Sequence, residues 1–161
     1  MSSKKSVKVE VKKDNTKQLL KQLESMKRLD LLVGVPQEEA EREDGEITNA
    51  QLMFIHSEGS PARNIPPRPV IDMTLKEEKQ KINDKFKKAI NNVLSGGNPR
   101  TELERLGIYV VNKIKAKFGS EDLAPLQPAT IKAKGSDRPL IDTGQLRNSI
   151  TYIIRGKNDK H

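Results

Sequence analysis

Four prolines within ten residues place the tightest constraint on the fold of this 161-residue chain. Pro61, Pro66, Pro67 and Pro69 fix their own φ angles and lack a backbone donor. Residues 60–69 therefore cannot form the interior of a helix or a central strand. We predict a stiff, extended segment that lies on the surface of a domain, and we call it the proline strap.

The residues before the strap predict two strands and two helices. Valines alternate with charged residues over residues 7–11, a period typical of a half-buried strand, and residues 29–35 predict a second strand. Thr48 or Asn49 can cap a short helix through Leu52 and Ile55 that stops at Gly59. An earlier helix, capped by Asn15 or Thr16, presents one apolar face made of Leu19, Leu20, Leu23 and Met26.

Two further helices are predicted after the strap. Apolar residues recur at helical spacing over residues 70–94, which indicates one long amphipathic helix with a lysine-rich outer face, ended by Gly96 and Gly97. Asn98 as the cap and Pro99 at the first helical position begin the next helix, so the two form a hairpin. The second helix carries an apolar stripe of Leu103, Leu106, Val110, Ile114 and Phe118.

The remaining residues complete the predicted architecture. Residues 119–138 predict mostly loop with one helical turn after Pro128, and residues 149–154 predict a strand that joins those near the N-terminus. We expect an α+β fold in which two long amphipathic helices pack on a small, mostly antiparallel sheet with long loops. A single domain should span residues 7–155, with flexible tails at residues 1–6 and 156–161.

The composition predicts a lean aliphatic core and separated charge. Apolar residues make up 34% of the chain, against a usual share of roughly 45 to 50%, so association between copies could supply further burial. The net charge is +8; residues 1–13 carry net +4, whereas residues 37–46, predicted as a mobile acidic loop, carry net −5. These opposite charges suit head-to-tail contact between copies, or they are two solvated segments.

Several chemical classes are excluded or disfavoured. The chain has no cysteine, which removes disulfides and thiolate chemistry, and only His56 and His161 could supply imidazole to a metal. No stretch approaches the roughly 18 apolar residues of a membrane span. We therefore expect no metal, no cofactor and no membrane.

Residues Leu140-Ile141-Asp142-Thr143-Gly144 carry the strongest enzymatic signal, since aspartic proteases present a catalytic carboxylate in this way. The chemistry needs two aspartates that share a proton, so the chain would have to dimerise around two copies of Asp142. Gln145 stands where a small residue is expected, and no glycine-rich flap is visible. The favoured interpretation is that Asp142 and Thr143 shape a turn.

Other polar residues give weaker signals. His56 lacks a catalytic partner at helical spacing, Ser149 lacks a base, and Gly96-Gly97 lacks the surroundings of a phosphate loop. A basic DNA-binding accessory protein is the main alternative, because six lysines crowd residues 76–88. Interleaved acids and the absence of an aromatic platform favour a solvated helix face instead.

Two segments resemble a known family. Ile65-Pro66-Pro67-Arg68-Pro69 follows a short helix that ends His56-Ser57-Glu58-Gly59, and Pro139-Leu140-Ile141-Asp142-Thr143-Gly144-Gln145-Leu146-Arg147 precedes Ser149-Ile150. In this order they resemble the tail-completion and virion-morphogenesis proteins of tailed bacteriophages, over roughly residues 52–154. Val70 stands where an aromatic residue is commoner, and the Trp often found ahead of the proline-rich loop, here Pro125-Leu126 and Pro128, is absent, so the subfamily stays open.

The resemblance implies a structural, non-enzymatic virion protein at the neck or upper tail, assembled in the host bacterial cytoplasm. It implies contacts with other copies in a ring and with a tail terminator, tail tube or connector, with DNA nearby only incidentally. Arg68 on the stiff strap can offer a fixed fork to a carboxylate. The candidate structural or interface residues are Pro66, Pro67, Arg68, Pro69, Asp142, Thr143, Gly144, Leu146 and Arg147.

Overall fold

The computed structural model describes residues 14–36, 47–135, 137, 139–140 and 144–157. It shows mixed helix and strand with antiparallel pairing, which confirms the predicted fold class at that level. The strand predicted at residues 7–11 and the acidic loop at 37–46 lie outside the described residues. The elements are α1 (Thr16–Lys27), β1 (Leu29–Gly34), α2 (Asn49–Glu58), a 3-10 turn (Pro61–Arg63), α3 (Val70–Glu77), α4 (Lys79–Leu94), α5 (Pro99–Lys117), α6 (Pro128–Lys134), α7 (Gln145–Asn148) and β2 (Thr151–Gly156).

Local capping explains where two of these helices begin. The Thr48 hydroxyl accepts from the Gln51 amide at 3.2 Å, and the Gln51 side chain accepts from the Thr48 amide at 2.9 Å. At α5, the Asn98 side chain accepts from the amides of Arg100 and Thr101. These bonds satisfy donors that a helix start leaves unpaired, and both predicted starts are confirmed.

The single helix predicted over residues 70–94 is wrong, because the chain forms α3 and α4 with a break at Glu78. Glu78 leaves helical geometry, with φ −90° and ψ 4°. Its carboxylate accepts from the Tyr109 hydroxyl at 2.6 Å and pairs with Lys113 at 3.4 Å, so α5 anchors the break. Apolar spacing does not reveal this bend, since it depends on a contact with another helix.

The sheet is a two-stranded ribbon. β1 and β2 pair antiparallel from Leu29 opposite Gly156 to Gly34 opposite Thr151. The predicted pairing of the C-terminal strand with an N-terminal strand is confirmed for β1. Strand β2 begins two residues later than expected, because residues 145–148 form the short helix α7, which is too brief to leave a periodic signal.

The core surrounds α5, which packs against α3, α4, β1 and β2. The predicted stripe on this helix is confirmed, since all five of its residues are buried. The helix predicted near the N-terminus is present as α1, and of its apolar face Met26 is buried whereas Leu20 remains 55% exposed. Within the described residues, no helix is long and apolar enough to cross a bilayer.

Candidate functional site

The proline strap begins as a tight loop and continues as an extended segment, so the prediction of a fully extended strap is wrong for its first half. Ser60 and Ile65 form a β-bridge that encloses the 3-10 turn, and Asn64 adopts a left-handed φ of 53°. Asparagine tolerates this conformation better than most residues, which explains its position here. Residues 66–69 then lead directly into α3.

Gly59 fixes the entry to the strap. Its φ is 76°, and a Cβ at this position would lie 2.8 Å from the Ile65 carbonyl oxygen and 2.9 Å from the Pro67 nitrogen. Both the backbone conformation and the space therefore require glycine. The predicted end of α2 at this residue is confirmed.

Arg68 is the most constrained side chain of the strap. It is only 3% exposed, and its Nε and Nη2 donate to the carbonyl oxygens of Ala124 and Pro125 at 2.6 and 2.8 Å. Its backbone N–H donates to the His56 carbonyl at 2.6 Å. Within the described part of the chain the acceptors are thus main-chain carbonyls, not the carboxylate that we expected. Burial lowers the pKa of the guanidinium below its ordinary value.

The flanking prolines hold this arginine without being buried themselves. Pro67 is exposed, while Pro66 and Pro69 are half-buried. Pro69 immediately precedes α3, whose first residue, Val70, is fully buried. The strap therefore places one buried cation between α2 and the loop after α5, and its proline rings remain partly accessible.

The second segment of the resemblance ends at the short helix α7, and we call residues 144–149 the closing turn. Gly144 has φ 82° at the start of α7, and Leu146 is 5% exposed. The exposed Arg147 donates from Nε to the Lys115 carbonyl at 2.9 Å, while the Lys115 ammonium donates to the Asn148 carbonyl at 3.2 Å. These reciprocal bonds fasten α7 to α5. The candidate residues Asp142 and Thr143 lie outside the described residues.

The structure brings the strap region and the closing turn together. Helix α2, which precedes the strap, packs against α7. Met53 of α2, Val70 after the strap and Leu146 of α7 belong to one buried hydrophobic cluster. Two segments that are far apart in sequence therefore contribute to the same hydrophobic core.

A charged cluster fastens the loop that accepts Arg68. The Lys117 ammonium, at the end of α5, binds the Glu77 carboxylate at 2.7 Å and also the Asp122 carboxylate. These hydrogen bonds, led by the one with Asp122, raise the pKa of Lys117, and the same bond lowers the pKa of Asp122. Because Lys117 is buried, it holds the beginning of the 119–127 loop against α3 and α5.

Sequence reasoning missed Phe54 of α2. Its side chain is 67% exposed, the largest value among the exposed large hydrophobic residues that the structure describes. Residues 52–55 are four apolar residues in a row, Leu-Met-Phe-Ile. Consecutive side chains of one helix point in different directions, so these four cannot all enter the protein core. That run was the available signal. It predicts an apolar side chain on the surface of α2, the helix that precedes the strap.

The other polar residues considered from the sequence are Ser149, His56 and the lysines of α4, and their contacts fit a structural role. The Ser149 hydroxyl donates to the Leu146 carbonyl at 2.9 Å, and His56 accepts the Arg68 amide through its carbonyl. On α4, Lys81 pairs with Glu78 and Lys87 with Asp84. Over the part of the chain that is described, no three histidine or acidic side chains converge to hold a metal ion.

No known protein family matches the chain, and no curated protein or solved structure shows significant similarity to it.

Proposed function

We propose that the chain is a non-enzymatic structural protein of a tailed-phage virion that acts at the neck or upper tail in tail completion or head-tail joining. The observation that carries the proposal is the buried Arg68 fork. It joins the strap to Ala124 and Pro125, at the start of the proline-rich loop that precedes the second segment of the resemblance. An assembly protein needs surface loops held in one conformation before its partners arrive, because ordering them during binding would cost affinity.

Exposed side chains on α2 and in the strap supply candidates for an interface. Phe54 projects from α2, and residues 61–64 of the strap are exposed. Large aromatic side chains are enriched at the centres of protein interfaces. We propose that this surface, defined by Phe54 and residues 61–64 and called the strap surface, contacts a tail terminator, tail tube or connector protein.

The rest of the molecule suits a rigid subunit. Helix α4 packs on α5, which packs on the β1–β2 ribbon, and we propose that this hairpin and ribbon are the frame that carries the strap surface. The lean composition and the segregated charges favour several copies in a ring around the tail axis. In this proposal the protein reaches the virion after synthesis in the host cytoplasm.

Phage particles assembled with and without the chain test this proposal. Deleting the coding sequence from its phage genome should leave heads and tails that fail to join or tails that end abnormally, as seen by electron microscopy. Supplying the chain in trans should restore joined particles, and quantitative mass spectrometry should find several copies in each. Intact, infectious particles that lack the chain would refute the proposal.

The same genetic system separates the structural role from the protease alternative. Asp142→Asn is nearly isosteric but cannot share a catalytic proton, so a protease would lose its cleavage of virion proteins. A structural protein should keep its phage titre with this change. Loss of titre together with unprocessed virion proteins on a gel would favour the protease.

A further inference from the structure

A small cleft with a charged rim lies between α4 and α5, and Ala89 and Leu106 form part of its lining. Its volume is about 200 Å³, which suits a single side chain rather than a cofactor, since small-molecule sites usually measure about 300 to 1,000 Å³. Lys85, Lys88 and Arg105 line it together with Asn92 and Glu102. Three cations and one carboxylate give this cleft a positive balance.

The carboxylate of the cleft is already satisfied. Glu102 is 8% exposed, its Oε1 accepts from Arg105 Nη1 at 2.6 Å, and its Oε2 accepts from Asn92 Nδ2 at 3.0 Å. Both of its oxygens therefore have a donor from this chain. Glu102 orients the Arg105 guanidinium instead of offering a site for an external cation.

The lysines of the cleft differ in how they are held. The Lys85 ammonium lies 4.3 Å from the centre of the Tyr109 ring, a cation–π contact that limits its motion. Lys88 makes no hydrogen bond or ion pair with any other residue that the structure describes. An oriented guanidinium, a partly fixed ammonium and an ammonium with open donors together form a receptor for an anionic group.

The acidic segment of the chain is the matching anion. Residues 37–46 contain six acidic residues and one arginine, with net charge −5. We propose that the α4–α5 cleft binds a carboxylate side chain from residues 37–46 of a neighbouring copy. This inference rests on the proposed assembly function, and it names the head-to-tail contact through which the copies would join.

The course of the ribbon explains why the donor should be a neighbour. Arg100 donates to the Ile154 carbonyl, Gly107 faces Tyr152, and Lys115 donates to Asn148, so β2 runs antiparallel to α5. Strand β1 therefore runs in the direction of α5, so the end of β1 lies far from Glu102, which is near the beginning of α5.

Chain length makes contact with the chain's own cleft unfavourable. Residues 37–46 connect Pro36 to Ile47, so chain length alone limits their midpoint to at most about 17 Å from each of these two residues. The distance from Pro36 back to Glu102, added up from the rise per residue of the ribbon and of α5, is already about 17 Å. The sideways offset toward α4 adds to it.

A synthetic peptide of residues 36–47 tests the contact on the full-length chain by fluorescence anisotropy. We expect saturable binding that weakens as salt rises, since the contact is electrostatic. Lys88→Glu should weaken binding by about tenfold or more, equivalent to about 1.4 kcal/mol. Lys87→Glu is the matched control, because Lys87 carries the same charge one residue away, pairs with Asp84 and does not line the cleft. It should change binding by less than about twofold.

Equal weakening by both variants would overturn the proposal, as would the absence of binding to the wild-type chain. Circular dichroism and melting of each variant establish that it is folded. A duplex DNA that binds with the same dependence on Lys88, and that the peptide cannot displace, would assign the cleft to nucleic acid instead.

A second measurement separates contact with a neighbour from contact within one chain. Replacing the six acids of residues 37–46 by their amides in the full chain removes any competing internal ligand. If neighbours supply the carboxylate, the free peptide binds this variant and the wild-type chain equally at concentrations where both are monomeric. Binding about tenfold tighter to the variant would show that the wild-type chain fills its own cleft, and would overturn the proposal.

Failure of this contact is distinguishable from failure of the proposed function. The peptide assay uses isolated protein, whereas the virion role depends on particles formed with and without the chain. Particles that require the chain but tolerate Lys88→Glu would leave the virion role standing and remove the cleft as its contact.

Discussion

Gly107 of α5 lies directly against the ring of Tyr152 on β2. A Cβ at Gly107 would come within 2.6 Å of the Tyr152 Cγ and 3.0 Å of the Leu31 Cδ1. The first of these atoms sits at the base of the ring and cannot swing away as a flexible chain end could. This close approach lets the ribbon pack on the central helix, and it accounts for a glycine in the middle of a 19-residue helix.

Gly107→Ala should therefore destabilise the fold. Alanine raises helix propensity by about 1 kcal/mol, but overpacking costs typically about 1 to 3 kcal/mol, and the strand cannot retreat without losing core contacts. We expect a net loss of about 1 kcal/mol in urea unfolding. Ile108→Ala, at the neighbouring half-exposed position, is the control and should stay within about 0.5 kcal/mol. A more stable Gly107→Ala variant would contradict the packing argument.

Arg68→Ala should be much more damaging than Lys79→Ala. The first change removes two charge-assisted bonds and leaves the carbonyls of Ala124 and Pro125 without their donor, a cost of about 2 to 4 kcal/mol. The second removes one exposed charge, with an effect within about 0.5 kcal/mol. Arg68→Lys should also lose stability, because a single ammonium cannot reproduce the fork. Equal melting temperatures and particle yields for Arg68→Ala and Lys79→Ala would refute this prediction.

The sequence predicted the features of the fold that depend on neighbouring residues. Thr48, Asn98 and Gly59 act within one turn of their own position, so the ends of α2 and the start of α5 could be derived from residue type alone. The α5 stripe was equally visible, because helical spacing forces those side chains onto one face.

The features that were missed depend on distant contacts. The break at Glu78 is anchored by Tyr109, which lies 31 residues further along the chain. The acceptors of Arg68 lie 56 and 57 residues away, in a loop whose path the sequence does not reveal. For the candidate site, the sequence therefore singled out Arg68 as an anchor but did not indicate the groups that it binds.

The Lys117–Asp122 ion pair predicts how stability depends on pH. The pKa of Asp122 is lowered in the folded state, so its contribution is present above about pH 4 and is lost as pH falls through the folded pKa. The pKa of Lys117 is raised, so its contribution is present below about pH 10 and is lost as pH rises through the folded value.

Melting curves of Asp122→Asn and wild type test this dependence. The wild type should be more stable at neutral pH, and the difference should shrink toward zero below pH 4 as Asp122 becomes protonated. Glu121→Gln changes the adjacent exposed carboxylate and should show no such convergence. A constant difference between wild type and Asp122→Asn across the acid range would exclude the ion pair as its source.

Gly144→Ala should destabilise the closing turn through its backbone alone. Gly144 has φ 82°, and the nearest atom to a new Cβ would be the Asn148 Nδ2 at a comfortable 3.8 Å. The left-handed conformation costs a non-glycine residue about 1 to 2 kcal/mol, and Gly144→Val should cost more because the side chain is β-branched. Gly34→Ala, where space is open and φ is not left-handed, is the control. Its unfolding free energy should change by less than about 0.5 kcal/mol.

Phe54→Ser should separate assembly from folding. Because the Phe54 side chain is 67% exposed, its removal takes little apolar area out of the core, and unfolding free energy should change by less than about 0.5 kcal/mol. An aromatic side chain at the centre of an interface is worth about 2 kcal/mol or more to binding, so loss of Phe54 should reduce incorporation of the chain into particles by about tenfold or more. Phe86→Ser is the matched control, since Phe86 is also exposed but belongs to α4 and is not one of the residues that define the strap surface. Quantitative mass spectrometry of purified particles measures both variants. Normal incorporation of Phe54→Ser, or an equal loss with Phe86→Ser, would remove the strap surface as the contact.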